Sequence, residues 1–117
     1  MKTTAGRALV LLLALAPVPG ARAAEGKIAV VAAENFYGDI ARQIGGDGVA
    51  VVSIMNNPDQ DPHLFETTPG IVQHIADARI VVFNGADYDP WMDKLLQAVP
   101  RPNRTTIVAR SAFFSWI

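Results

Sequence analysis

Four short apolar segments, separated by stretches with a helical pattern, are the feature that most restricts how this chain can fold. They are residues 27–33 (KIAVVAA), 49–55 (VAVVSIM), 79–83 (RIVVF) and 105–109 (TTIVA). Each has the length of a strand, and strands that are apolar on both faces belong to a parallel sheet that is covered on both sides. The alternation therefore predicts an α/β fold, a small parallel sheet with helices on both faces and right-handed crossovers between its strands.

The first helix is expected directly after the first strand. Asn35 is a suitable N-cap, and the apolar positions Phe36, Ile40 and Ile44 recur at helical spacing. The glycine pair at residues 45–46 then ends the helix.

Two further helices are predicted by the same combination of a capping residue, a proline and an apolar stripe. Thr68 and Pro69 open the second helix, and Asp89 and Pro90 open the third. The apolar side of the second helix consists of Ile71, Val72, Ile75 and Ala76. The buried stripe of the third consists of Met92, Leu95, Leu96 and Val99.

The first 23 residues have the pattern of a secretory signal peptide. Lys2 and Arg7 precede an apolar run at residues 8–16, and residues 21–23 (ARA) fit the small-x-small cleavage pattern. The alternative is an uncleaved membrane anchor, but the apolar run falls well short of the roughly 20 residues that cross a bilayer. We therefore expect export and cleavage after Ala23.

Composition excludes several functional classes. Cysteine is absent, which removes disulfides, thiolate metal sites, a cysteine nucleophile and the usual lipid anchor of bacterial lipoproteins. The chain has 10 Lys+Arg and 11 Asp+Glu, and three of the basic residues precede residue 24, so the exported part is acidic. That balance provides no basic surface for nucleic acid. The nucleophile elbow, dinucleotide-binding and Walker patterns are also missing, so an enzyme is not expected.

His63 is the candidate metal ligand. It follows Asp61 and Pro62 in the long connection between the second strand and the second helix, and a neutral imidazole is the commonest metal ligand in proteins. Ligands of parallel sheets bind beyond the carboxyl ends of the strands, where this connection should meet residues 34–35 and 84–87. The alternative is a loop histidine bound to a backbone carbonyl. Asp61 and Glu66 are expected to orient the histidine or to lie in solvent rather than to bind metal directly.

Other polar residues have structural explanations. His74 falls on the polar side of the second helix beside Gln73 and is expected to be solvated. The acidic residues Asp87, Asp89 and Asp93 lack the turn glycine and distal glutamate of a calcium loop, so calcium is rejected.

The order and spacing of six segments resemble the amino-terminal lobe of the zinc and manganese solute-binding proteins of bacterial ABC importers. The segments are residues 34–37 (ENFY), 44–47 (IGGD), 61–66 (DPHLFE), 75–78 (IADA), 80–85 (IVVFNG) and Trp91. The resemblance implies one lobe of a two-lobed periplasmic binding protein, in which His63 is the first metal ligand. It further implies that a divalent metal, zinc or manganese, is carried as cargo to a membrane permease, without an organic cofactor.

The chain departs from that family at its end. The family-like sequence fades after Val108, and residues 111–117 (SAFFSWI) form an aromatic tail that the resemblance does not predict. The resulting organisation is a signal peptide at residues 1–23, a lobe at residues 24–110 and an atypical tail, interpreted as a frameshift or a truncated gene model. Zinc needs about four ligands, so this chain by itself is expected to bind metal weakly or not at all. The alternative function is a single exported lobe that binds a partner, in the manner of an adhesin, without transporting metal.

Overall fold

The structure, a computed structural model, describes residues 26–110. Strands and helices alternate along this part of the chain, as the sequence predicts. The elements are β1 (Ile28–Glu34), α1 (Asn35–Gly45), β2 (Val49–Met55), α2 (Pro69–Asp77), β3 (Ile80–Phe83), α3 (Pro90–Ala98) and β4 (Thr105–Val108). Single 3-10 turns at Gly46–Gly48 and Pro62–Leu64 precede β2 and α2. The predicted signal peptide and the atypical tail lie outside the described residues.

The four strands form one parallel sheet in the order β2-β1-β3-β4. Val30 of β1 is in register with Val51 of β2 on one side and with Ile80 of β3 on the other. The chain therefore leaves β1 toward one edge of the sheet and returns to its other side, which makes the gap between β1 and β3 a topological switch point. In parallel sheets, ligands bind at the carboxyl end of such a point.

The main core lies between the sheet and the helices α2 and α3. Val31 of β1 and Val81 of β3 point toward Ile75 of α2 and Met92 of α3, and the exposed fraction of these four side chains is 2% or less. Burial of each large aliphatic side chain contributes about 1.5–3 kcal/mol. This packing fixes the two helices on one face of the sheet and thereby sets the position of the loops that precede them.

Helix α1 covers the opposite face at close range. A Cβ atom at Gly38 would collide with the Ser53 side chain of β2, and one at Gly45 would collide with Val49. The side chains of Phe36, Ile40 and Ile44, the apolar positions of this helix, remain 46%, 52% and 83% exposed. Helices thus lie on both faces of the sheet, as predicted, and the α1 face is the less covered one among the described residues.

The predicted N-caps have different outcomes. Thr68 is confirmed, because its hydroxyl oxygen accepts the Ile71 N–H at 3.4 Å and Pro69 is the first residue of α2. The prediction that Asn35 is the N-cap of α1 is wrong. Asn35 is already helical, and Glu34 occupies the N-cap position without a side-chain cap hydrogen bond. Asp89 does precede Pro90, but its carboxylate forms no bond to the helix. It accepts backbone N–H groups of the preceding loop instead, because the loop folds back over it.

None of the helices within residues 26–110 is both long and apolar enough to cross a membrane.

Candidate metal site

The Asp61-Pro62-His63 segment forms a short turn that closes on itself. The Asp61 carboxylate accepts the backbone N–H of His63 at 2.8 Å, and its carbonyl oxygen accepts the N–H of Leu64 at 3.2 Å. Pro62, at the first position of the turn, has a fixed φ and lacks the N–H group that would need a partner there. The turn therefore fixes the backbone of His63 while its side chain stays exposed.

His63 faces the loop that follows β3. Its ring lies 6.3 Å from the ring of Tyr88, centroid to centroid, in an edge-on arrangement with an interplanar angle of 69°. The prediction that the loops after β2 and β3 meet at the carboxyl edge of the sheet is thus confirmed. The imidazole stands at the rim of this edge rather than in its interior.

Within residues 26–110, His63 does not belong to a cluster of three or more candidate metal ligands. Asp61 uses a carboxylate oxygen in its own turn, and Glu66 is exposed on the segment leading into α2. His74 is exposed on α2, as expected for a solvated helix position. Within residues 26–110, no three His, Asp or Glu side chains converge in a way that would hold a metal ion. The described residues therefore do not by themselves form a complete metal site.

An open cleft of about 570 Å³ lies beside His63, between its loop and α3. Phe65 and Trp91 form its floor, with ring centroids 4.5 Å apart, and Glu66 and Lys94 lie along its walls. Trp91 is buried, with 7% of its surface exposed. Its contact with Phe65 anchors the histidine loop against the first turn of α3. The predicted burial of Met92 in the apolar stripe of α3 is confirmed.

A buried polar cluster lies behind His63, at the switch point between β1 and β3. Glu34 ends β1 and is 3% exposed, and Asp89 precedes α3 and is 1% exposed. Asp89 accepts the backbone N–H groups of Asn84 and Gly85, both at 2.7 Å. The Tyr37 hydroxyl of α1 donates to the Asn84 side-chain oxygen at 2.7 Å. The cluster thus joins β1, α1 and the loop after β3.

Burial raises the pKa of the Glu34 carboxyl from its ordinary value of 4.5 to about 8, and the charge of Asp89 beside it acts in the same direction. Burial also raises the pKa of the Tyr37 hydroxyl, with the charges of Glu34 and Asp89 adding to the effect. The sequence predicts that residues 34–35 and 84–87 meet at this edge, but not that Glu34 lies beside Asp89. The available signal was a glutamate at the end of an otherwise apolar strand, and perturbed carboxyls of that kind concentrate at functional sites.

Comparisons with known proteins agree with the resemblance seen in the sequence. A family model described as the periplasmic component A of the zinc-uptake complex, ZnuA, matches residues 30–113. The chain is similar to the manganese-binding lipoprotein MntA of Bacillus subtilis, with 29% identity over 90 residues that cover 77% of this chain and 29% of MntA. It is also similar to the manganese ABC transporter substrate-binding lipoprotein PsaA of Streptococcus mitis, with 30% identity over 93 residues, 76% of this chain and 30% of PsaA.

Solved structures show the same relationship. The periplasmic zinc-binding protein TroA of Treponema pallidum superposes with a TM-score of 0.62 at 27% identity, over 70% of this chain and 29% of TroA. The Zn(II)-bound ZnuA-like domain of Streptococcus pneumoniae AdcA gives a TM-score of 0.62 at 26% identity, over 72% of this chain and 31% of the domain. The chain thus spans less than a third of each of these four relatives, and its sheet corresponds to one lobe of a two-lobed binding protein.

Proposed function

The chain belongs to the ZnuA family of periplasmic zinc-uptake components, and we propose that it acts in an ABC importer as the lobe of the solute-binding component that supplies His63 to a divalent metal. The observation that carries this proposal is the placement of His63. It stands on a fixed turn at the carboxyl edge of a parallel sheet, beside the switch point. This is where a scaffold of this kind positions ligand-binding groups.

The proposed cargo is zinc or manganese. The names of the relatives include both a zinc-binding and two manganese-binding proteins. Nitrogen ligands favour zinc, whereas carboxylate oxygens favour manganese. His63 contributes one nitrogen, and the other ligands would have to come from outside residues 26–110. The metal is transported rather than used in a reaction, so we propose a receptor and not an enzyme.

The proposed setting is the periplasm. The sequence pattern supports removal of residues 1–23 by signal peptidase, and the relatives are named as periplasmic or lipoprotein components of metal transport. The proposed partner is the membrane permease of the importer, which would take the metal from the loaded receptor. In this proposal residues 24–110 form the lobe itself and residues 111–117 form an atypical tail, of which residues 111–113 still fall within the family match.

The affinity expected for this chain alone is low. A structural zinc site has four protein ligands, and even an open catalytic site has three. A single exposed imidazole gives neither the ligand number nor the enclosure that tight binding requires. We therefore expect weak zinc binding by the 117-residue chain, and tight binding by any longer product of the same gene that supplies the missing ligands.

The test is calorimetric titration of zinc and of manganese into the protein purified from its native host, with its intact mass determined in parallel. The variant His63→Ala should lower the affinity of the native product, whereas His74→Ala, a matched change at an exposed histidine, should leave it unchanged. Binding that is indifferent to both changes would contradict the proposal. It would favour a single exported lobe that binds a protein partner.

A further inference from the structure

The Glu34 and Asp89 carboxyl groups form a pair that needs a proton. Both residues are almost fully buried, at 3% and 1% exposed. The Asp89 carboxylate acts on Glu34 at close range, and both Glu34 oxygens are buried without a hydrogen-bond partner among the described residues. Two ionised carboxylates side by side in a buried position repel one another, and neither can donate a hydrogen bond to the other. Burial of the pair therefore favours one carboxylic acid and one carboxylate.

The hydrogen-bond partners identify which residue carries the proton. Both Asp89 oxygens accept backbone N–H groups, from Asn84 and from Gly85, at 2.7 Å each. Neither Glu34 oxygen receives a hydrogen bond from any N–H or hydroxyl group of the described residues, and both are shielded from solvent. An ionised Glu34 would thus be a buried charge without a donor, which is strongly unfavourable. Glu34 is therefore the residue that carries the proton, and Asp89 is the neighbouring carboxylate.

Asp89 in turn holds a loop in an unusual backbone conformation. Gly85, Ala86 and Asp87 have φ values of 75°, 57° and 62°, in the left-handed region that residues with a Cβ rarely adopt. Gly85 adopts this conformation freely, but Ala86 and Asp87 carry a Cβ, and two such residues in succession persist only when the surroundings hold them in place. Here the support comes from the two N–H bonds to Asp89 and from the Tyr37 hydroxyl on Asn84.

The same loop carries Tyr88 to His63. The Tyr88 N–H donates to the Gly85 carbonyl at 3.2 Å, which closes the loop, and the Tyr88 ring meets the His63 ring edge-on. A continuous set of contacts therefore runs from Glu34 through Asp89 and the loop to the candidate metal ligand.

We propose that Glu34 is a positioning residue whose proton, beside Asp89, holds the loop of residues 84–89 in place and thereby sets how Tyr88 contacts His63. Loss of that proton places two negative charges side by side in a buried position and loosens the loop. The link to metal binding rests on the function proposed for His63, but the carboxyl pair and its effect on the loop do not.

The charged and titratable groups around Glu34 come from the elements that pack against it. Asp89 contributes its charge from the segment before α3, and Tyr37 of α1 and Tyr88 of the loop lie in the same cluster. The β2 residue in register with Glu34 is Met55, which carries no charge. Arg110, which follows β4, reaches the same loop, where its backbone N–H donates to the Asn84 carbonyl oxygen at 3.2 Å.

The experiment is a pH titration of the metal-free, isotope-labelled chain by NMR spectroscopy, from pH 4 to pH 9.5. The probes are the Glu34 carboxyl carbon, the Gly85 amide and the His63 ring. We expect the Glu34 carbon to titrate with a midpoint near its raised pKa of about 8. The Gly85 amide should shift with the same midpoint, and the His63 ring should show a step there as well.

Two variants sharpen the result. Glu34→Gln replaces the acid by an amide that is neutral at every pH, so the step near pH 8 should vanish from Gly85 and His63 while the loop keeps its low-pH spectrum. Asp47→Asn, a matched change of an exposed carboxylate at the opposite end of the sheet, should leave the step in place.

The proposal is overturned if the Glu34 carbon titrates near 4.5 in the unaltered chain, a readout that does not depend on any variant folding. It is also overturned if Gly85 retains the step in a folded Glu34→Gln variant. The titration contains no metal, so neither result bears on the proposed transport function. Conversely, a failure of His63→Ala to alter metal affinity would leave the carboxyl pair intact.

Discussion

Tyr88 presents its ring to His63 across the gap between two loops, with the ring centroids 6.3 Å apart and the planes inclined by 69°. One loop follows β2 and the other follows β3, and the two strands are separated in the sheet by β1. The contact therefore spans the switch point of the fold. It joins the exposed candidate ligand to the buried polar cluster, and several consequences can be measured.

Replacement of His63 should have a larger effect on metal binding than replacement of any other side chain described here. In the native gene product, His63→Ala should weaken zinc affinity by at least about tenfold to a hundredfold, since that is the usual cost of losing even a residue that only orients a metal ligand. Calorimetry measures the change directly. The control is His74→Ala, on the solvated side of α2. Equal losses for both variants would point to nonspecific histidine binding.

The stability of the fold should depend on pH through Glu34. The pKa of this carboxyl is raised in the folded state, from 4.5 to about 8, so the folded chain binds a proton that the unfolded chain has released. The resulting stabilisation is complete below pH 4.5 and is lost as the pH rises through 8. Urea unfolding at a series of pH values should show a falling free energy of unfolding in this window. Glu34→Gln should remove that component, and an identical pH profile in the variant would contradict the assignment.

Gly85 should tolerate no side chain. Its φ is 75°, and a Cβ atom would lie 2.5 Å from Cγ1 of Val108. Gly85→Ala should therefore lower the free energy of unfolding by about 1–3 kcal/mol, the usual cost of a strained backbone position. Gly48→Ala is the matched control, because a Cβ there meets nothing within 4 Å. Thermal unfolding of the two variants side by side makes the comparison.

The core beneath α3 should be sensitive to truncation. Met92 is 0% exposed and packs between the sheet and α2. Met92→Ala should lower the free energy of unfolding by about 2–5 kcal/mol, since removal of a buried side chain of this size leaves a cavity. Ile44 of α1 is 83% exposed, so Ile44→Ala should change the stability by less than about 0.5 kcal/mol. Denaturant titration would reveal the difference, and similar costs at the two sites would mean that α1 is covered in solution.

The sequence predicted the fold where the signals were local. Strand-length apolar runs located all four strands, and the Thr68-Pro69 pair located the start of α2, because a cap and a first-turn proline act within a few residues. The pattern around Asp89 was equally local and was misread. A helix cap and an acceptor for a folded-back loop look alike until the path of the loop is known.

In the candidate site, too, the features with a local sequence signal were predicted and the non-local contact was not. His63 stands out in sequence because proline and aspartate flank it, and the meeting of the loops follows from the parallel topology. Glu34 could not be paired with Asp89 in advance. The two residues are far apart along the chain, and their contact depends on the order in which the strands assemble.

The turn that holds His63 affects both the rate at which a ligand binds and the rate at which it dissociates. Its backbone is already fixed by Pro62 and by the Asp61 carboxylate on the His63 N–H, at 2.8 Å. Little conformational entropy therefore remains to be lost from this segment when the imidazole takes a ligand. The encounter step needs no rearrangement of the loop, so differences in affinity among metals should appear mainly in their dissociation rates.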